Sequence, residues 1–206
     1  MTDIKAIILD WGGVLIDDPT PAMMAYFANS LSVTAENYIK AHRKFIADLE
    51  NGDMTENAFW KNVCAELGIS KLPALSLWME GFKHVYSPKQ DMFSLARALH
   101  RSGYKTAVLS NTEAPSVEYF RQQDYDMFDT VIFSCEERMK KPELRIYQTA
   151  ASRLAVPPEQ IVFIDDRQEH IDGAKKAGLN AILFENYQQV IRALSDLSVK
   201  VTARLY

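Results

Sequence analysis

The stretch Ile4-Lys5-Ala6-Ile7-Ile8-Leu9-Asp10-Trp11-Gly12-Gly13-Val14-Leu15 constrains the fold more than any other part of the chain. An apolar run of strand character stops at a carboxylate, and two glycines follow at once. A buried β-strand gains nothing from an aspartate at its carboxyl end, whereas in open α/β sheets that end is where ligands bind. Asp10 is therefore the first candidate for chemistry. Two glycines let the main chain turn tightly and bring its N–H and C=O groups up to a ligand or a metal. Alone, the segment also fits an ordinary turn at a strand end, so the rest of the chain has to decide.

After Leu15 the pattern changes. Ile16-Asp17-Asp18-Pro19-Thr20-Pro21 is a polar, proline-marked exit. From Pro21 to about Val85 the apolar residues fall at helical spacing, as in Phe59, Val63 and Leu67, with Trp60 and Cys64 beside them. Asn51-Gly52-Asp53 interrupts this region, Thr55 or Asp53 is a candidate N-cap, and Gly68 with Pro73 marks the next joint. The spacing predicts about four short helices and no strand. Ser87-Pro88 closes the insertion, and a helix with Met92, Leu95, Ala96 and Leu99 inward runs to Ser102, ahead of Gly103 at C′.

Strands and helices then alternate. Strands are expected at Lys105–Leu109, Thr130–Phe133, Ile161–Ile164 and Ala181–Phe184. Helices are expected near Glu118–Gln123, Pro142–Leu154 with Pro142 at N1, Ile171–Ala177 and Val190–Leu197. The tail Val199–Tyr206 has no clear assignment. This order predicts an α/β fold: a doubly wound, Rossmann-like parallel sheet in a core formed by residues 1–16 and 88–206, with an all-helical cap inserted at 17–87.

Composition excludes several classes. A hydrophobic fraction of 48% with 24% charged residues is that of a globular protein, and no apolar run approaches a membrane span. The N-terminus has no basic region ahead of its short apolar run, so no signal peptide is expected and the chain reads as cytoplasmic. Cys64 and Cys135 lack metal or redox spacing. The formal charge of −4, with no Lys/Arg cluster, argues against nucleic acid. An anionic ligand has to be held by a local site.

Parallel topology brings the strand ends together, and with them their polar residues. Asp10 supplies a nucleophilic carboxylate, and Asp165-Asp166 supplies oxygen ligands for a hard divalent cation, most simply Mg²⁺. Ser110 offers a hydroxyl and an N–H to phosphate oxygens, and Lys141 offers a fixed positive charge near a helix N-terminus. In order and placement, Ile8-Leu9-Asp10-Trp11-Gly12-Gly13-Val14, Leu109-Ser110-Asn111-Thr112, Lys141-Pro142-Glu143 and Phe163-Ile164-Asp165-Asp166 resemble the four motifs of the haloacid dehalogenase superfamily. Within it the chain is most similar to phosphatases with a helical cap after the first motif, including the bacterial α-D-glucose-1-phosphate phosphatase type.

The resemblance implies that Asp10 attacks phosphorus to form an aspartyl-phosphate that water hydrolyses. It implies that Asp10, the Gly12 carbonyl and Asp166 bind Mg²⁺, with Asp165 binding directly or through water, and that Ser110, Lys141 and Asn111 hold the phosphate. The implied substrate is a small phosphorylated metabolite such as a hexose 1-phosphate, with the cap moving about Asp17–Pro21 and Ser87–Pro88.

One position departs from the pattern. Most superfamily phosphatases carry a general acid two residues after the nucleophile, where this chain has Gly12. Losing such a group costs about 10²–10⁴-fold. A sugar 1-phosphate, with its less basic anomeric leaving oxygen, demands less protonation. Asp17 or Asp18 is a candidate replacement, with helix capping or solvation as the alternative. The gap also leaves two rival readings, a metal-free 2-haloacid dehalogenase and a phospho-ligand-binding protein without turnover. Asp165-Asp166 favours the phosphatase, because the pair has no evident purpose without a cation. His170 is expected at the surface or behind the site. Trp11, Tyr26, Phe45, Trp60 and the methionines Met23, Met24 and Met79 are expected to pack as core or cap lining.

Overall fold

In the computed structural model, which describes residues 3–73 and 77–201, the central strand β1 (Ala6–Leu9) is followed by helices alone until residue 101. Five of them form the cap: α1 (Thr20–Ser30), α2 (Ala35–His42), α3 (Ile46–Glu50), α4 (Glu56–Glu66) and α5 (Leu77–Val85). The count exceeds the expected four because the single turn α3 is too short for a 3.6-residue pattern to reveal. Thr55 is the N-cap of α4, its hydroxyl accepting from the Ala58 N–H at 3.3 Å. Phe27, Tyr38, Phe59, Trp60 and Trp78 fill the cap interior with tilted and edge-on ring contacts.

The core follows as α6 (Gln90–Arg101), β2 (Lys105–Ser110), α7 (Ala114–Arg121), β3 (Thr130–Phe133), α8 (Ser134–Glu137), α9 (Leu144–Leu154), β4 (Ile161–Asp165), α10 (Gln168–Lys176), β5 (Asn180–Leu183) and α11 (Tyr187–Asp196). The five strands make one parallel sheet in the order β3-β2-β1-β4-β5. Alternation along the strands feeds two cores: Ala6, Ile8, Leu109 and Phe163 pack towards α9 and α10, while Ile7, Leu9, Val108 and Ile164 face α6, α7, α11 and the cap. Val199 and Val201 of the tail join the second core, and 202–206 lie outside the described residues. No helix among the described residues is long and apolar enough to cross a membrane.

The four core helices expected after β2 all start elsewhere than expected: α10 and α11 three residues early, at Gln168 and Tyr187, and α7 and α9 for reasons visible in the structure. α7 begins at Ala114, not Glu118, because Pro115 stands at its first turn, where a missing N–H costs nothing. α9 begins at Leu144, with Glu143 as N-cap in extended conformation, so Pro142 is not at N1 and Lys141 is not beside the helix N-terminus. The reason lies at Lys141, whose main chain is tied to another loop. Its peptide bond to Pro142 is cis.

The two crossings between cap and core run side by side: the Asp17 N–H donates to the Ser87 carbonyl, and the Lys89 N–H to that of Leu15, both at 2.9 Å. Lys89 Nζ adds bonds of 2.9 Å to the carbonyls of Gly13 and Ile16.

Candidate active site

The chain order reverses direction across the sheet between β1 and β4, the point where doubly wound sheets bind ligands. Register pairs Leu9 with Ile164, and the Asp10 N–H donates to the Ile164 carbonyl at 2.9 Å, so the carboxylates of Asp10 and Asp165 emerge side by side. Between them stands Lys141, fully buried, with Nζ 2.8 Å from Asp10 Oδ1 and 2.7 Å from Asp165 Oδ2. The Trp11 N–H donates to the same Asp10 Oδ1 at 2.7 Å. One oxygen of Asp10 is therefore held from two directions.

Asp165 is wholly buried, and its oxygens take Lys141, the Arg167 N–H at 2.9 Å and His170 Nδ1 at 2.9 and 3.0 Å. Burial acts against its charge, but Lys141 and His170 outweigh it and hold this carboxyl below the usual range. The opposite holds for Asp10, which burial and the neighbouring Asp165 push upward although Lys141 opposes them. Burial, then the charge of Asp165, also raises Asp166. Three carboxyls thus crowd one lysine. That excess of hard oxygen donors over positive charge fits a divalent cation such as Mg²⁺. Donor atoms of Asp10, Asp165 and His170 all lie within 4.8 Å of one another, yet the His170 nitrogen is taken up by Asp165.

The two glycines play different parts. Gly13 has φ +85°, and a Cβ there would fall on the Asp166 carboxylate, so only glycine lets that side chain approach the loop. A Cβ on Gly12 would meet only Pro19 Cδ, at 3.5 Å. Glycine is not required there by crowding.

A cavity of about 430 Å³ lies over this edge, between core and cap. Asp10, Gly12, Ser110, Asn111, Lys141 and Asp166 line it, so six of the seven expected site residues meet at one opening and Asp165 supports them from behind. Asn111 is engaged differently from a phosphate ligand. Its Nδ2 donates to the Lys141 carbonyl and its Oδ1 accepts from the Lys141 N–H, both at 2.9 Å. Asp17 is tied to Ser87 Oγ at 2.7 Å and to Lys89 at 3.2 Å, while Asp18 accepts from the Thr20 N–H at 2.9 Å, at the start of α1. Asp17 thus ties the two crossings together, while Asp18 also lines the cavity and its charge acts on Asp166. His170 is buried against Asp165, the second of its two expected placements.

Sequence reasoning missed polar groups on the cavity wall: Glu113 and Ser116 after β2, and His42 and Glu50 from the cap. No motif marks the cap residues. Glu113 follows Ser110-Asn111-Thr112 directly, and that adjacency is the one signal the sequence carried.

A strand-end aspartate braced through a lysine to a second aspartate, with a cavity over both, is an arrangement that suits a hydrolase on an α/β sheet. The chain belongs to the haloacid dehalogenase-like hydrolase family, which it matches over residues 4–178. It is 26% identical over 206 residues to mouse (Mus musculus) acyl-CoA dehydrogenase family member 10, covering 94% of this chain but only 19% of that protein's length. It is 29% identical over 195 residues to the glyceraldehyde 3-phosphate phosphatase of Methanothermobacter thermautotrophicus, covering 87% of this chain and 85% of the relative. Its fold is similar to that of a wild-type HAD-family enzyme from Bacteroides thetaiotaomicron in complex with magnesium and inorganic phosphate. That match has a TM-score of 0.77 at 21% identity and covers 92% of this chain and 100% of the other.

Proposed function

We propose that the protein is a cytoplasmic, Mg²⁺-dependent phosphatase acting on a small phosphorylated metabolite, a sugar phosphate such as a hexose 1-phosphate. The observation that carries this reading is Asp10, with one oxygen fixed by Lys141 at 2.8 Å and by the Trp11 N–H at 2.7 Å under a capped cavity. With Oδ1 held, Oδ2 is the oxygen that attacks phosphorus; the ester oxygen leaves, and water then cleaves the aspartyl-phosphate. Asp10, the Gly12 carbonyl and Asp166 are the groups that would hold Mg²⁺, with Asp165 reaching it through water because its oxygens already serve Lys141 and His170. The ion would neutralise charge on the phosphoryl oxygens. Ser110 binds a phosphate oxygen, Lys141 fixes both nucleophile and phosphate, and Asn111 sets the position of Lys141.

The magnesium and phosphate bound by the Bacteroides enzyme support the cofactor, and the Methanothermobacter relative supports a phosphomonoester substrate. The paired crossings at Asp17/Ser87 and Leu15/Lys89 support a cap of residues 17–87 moving on a core of 1–16 and 88–206.

The test is phosphate release from a panel of phosphomonoesters, with Mg²⁺ or with chelator, by the wild type and Asp10→Asn, with halide release from a 2-haloacid measured alongside. Phosphate release that requires both Mg²⁺ and Asp10 is the expected result. Halide release without metal would establish the dehalogenase instead, and Mg²⁺-dependent binding of phosphate esters without turnover would make Gly12 the mark of lost catalysis.

A further inference from the structure

Part of the cavity wall, lined by Thr112, Glu113, Ser116 and His42, is built where core and cap meet. Glu113, the N-cap residue of α7, does not cap its helix. Its Oε2 instead accepts from Ser116 Oγ at 3.3 Å and Thr112 Oγ1 at 3.5 Å. Ser116 Oγ in turn accepts from Trp78 Nε1 of the cap at 3.2 Å, so the carboxyl is fixed by a chain of bonds that crosses the seam. Glu50, on the cap side, is the charge that acts on it most strongly, and Glu50 has its own cation in Lys140 at 3.5 Å. Among the described residues no lysine or arginine forms an ion pair with Glu113.

We propose that Glu113 is the residue that reads the leaving group, forming with Thr112, Ser116 and His42 a subsite for the hydroxyls of a polyol or sugar phosphate. This rests on the phosphatase reading above and names what these groups of the same cavity recognise. The groups there suit hydroxyls because between them they both donate and accept. Burial, reinforced by Glu50, pushes the Glu113 carboxyl up to about 8, so at neutral pH it carries a proton. Burial lowers the His42 imidazole to about 4, so it stays neutral, and with Nδ1 beside the Tyr38 hydroxyl its Nε2 is the nitrogen left for a ligand. A hydroxyl needs that combination. An alkyl group would offer the carboxyl proton no acceptor, and a second phosphate would face the carboxylate of Glu50.

The experiment compares esters on one three-carbon skeleton: propyl phosphate, glycerol 3-phosphate, 3-aminopropyl phosphate and propane-1,3-bisphosphate, all with Mg²⁺. For the wild type, kcat/KM on glycerol 3-phosphate is expected to exceed that on propyl phosphate by about tenfold or more, mainly through KM. Glu113→Ala should shrink that ratio to about threefold or less, and Glu113→Gln, which still donates and accepts, should keep an intermediate ratio. Thermal melts of both variants establish that they fold. An unchanged ratio in Glu113→Ala overturns the proposal, as does a wild-type preference for the aminopropyl ester, which would make the subsite a cation site.

Calorimetric binding of the same esters to Asp10→Asn, with and without Glu113→Ala, separates the two readings. Glu113-dependent preference for glycerol 3-phosphate in binding, with no turnover of any ester by the wild type, would remove the phosphatase and leave the subsite. Equal turnover and equal binding of the propyl and glycerol esters would do the reverse.

Discussion

Asn111 and Lys141 are joined by a two-way clasp: the amide nitrogen of Asn111 donates to the Lys141 carbonyl and its oxygen accepts from the Lys141 N–H, each at 2.9 Å. The loop after β2 thereby sets the main chain that delivers the Lys141 ammonium to Asp10. Asn111→Ala removes both bonds while leaving every charge in place. Its kcat on a phosphate ester should fall by up to about 100-fold from misplacement of Lys141, with Mg²⁺ still required. Asn111→Asp, which can accept but not donate, should fall between the two. Steady-state kinetics at saturating Mg²⁺ checks the order.

Lys141 is also the counter-charge that lets Asp10 and Asp165 be buried together. Removing one partner from a buried ionic cluster leaves uncompensated charge and costs about 3–5 kcal/mol. Lys141→Met keeps the length of the side chain and discards the charge. Its Tm should drop on the order of 10 °C, and Mg²⁺ should restore more of that loss than it adds to the wild type. Melting curves with Mg²⁺ and with chelator measure both effects.

Much of this arrangement was legible in the sequence because strand ends are easy to read. Asp10, Ser110 and Asp165 each terminate an apolar run, and one parallel sheet suffices to bring them together. Asn111 was legible as a site residue but not in its role, because a side chain closing on the main chain of residue 141 follows from loop geometry that no periodicity encodes. The same loop contact moved the start of α9 past Pro142. For His170 the sequence left two placements open, surface or behind the site, since one turn of α10 can face either way, and the packed structure turns it onto Asp165. Glu50 and His42 were unreadable, because cap helices that bury one face against each other and another over a cavity carry the same apolar spacing on both.

Gly52, in the break that the sequence marked between α3 and α4, presses against the core: a Cβ there would fall on the Cys135 carbonyl. Beside it Ser134 Oγ donates to the Glu50 carbonyl at 2.6 Å. Gly52→Ala therefore meets a backbone it cannot displace and should hold the cap away from the core. Gly68 provides the control, since its φ of +69° matches the +74° of Gly52 but nothing lies within 4 Å of its added Cβ. Both variants pay about 1 kcal/mol for the left-handed backbone. Only Gly52→Ala should also lose roughly tenfold or more in kcat/KM, as the loosened cap no longer assembles and dries the site. Equal kinetics in the two variants would show that this contact does not govern closure.

His42 gives the fold a dependence on acid. It is buried beneath Trp78 and Phe59, with Nδ1 3.3 Å from the Tyr38 hydroxyl, and burial lowers its pKa from 6.5 to about 4. The unfolded chain therefore binds a proton at His42 below pH 6.5 that the folded chain refuses until about pH 4. Stability linked to this residue is complete above the higher value and is lost progressively as pH falls towards the lower one. At pH 5 the loss amounts to about 2 kcal/mol. His42→Gln keeps a partner for Tyr38 and cannot titrate. At pH 7 it should be the less stable protein by about 1 kcal/mol, from lost ring packing, and by pH 5 it should equal or exceed the wild type. Urea unfolding of both proteins across this range reads the difference directly, and parallel curves would show that the imidazole is charged in the folded protein or already exposed to water.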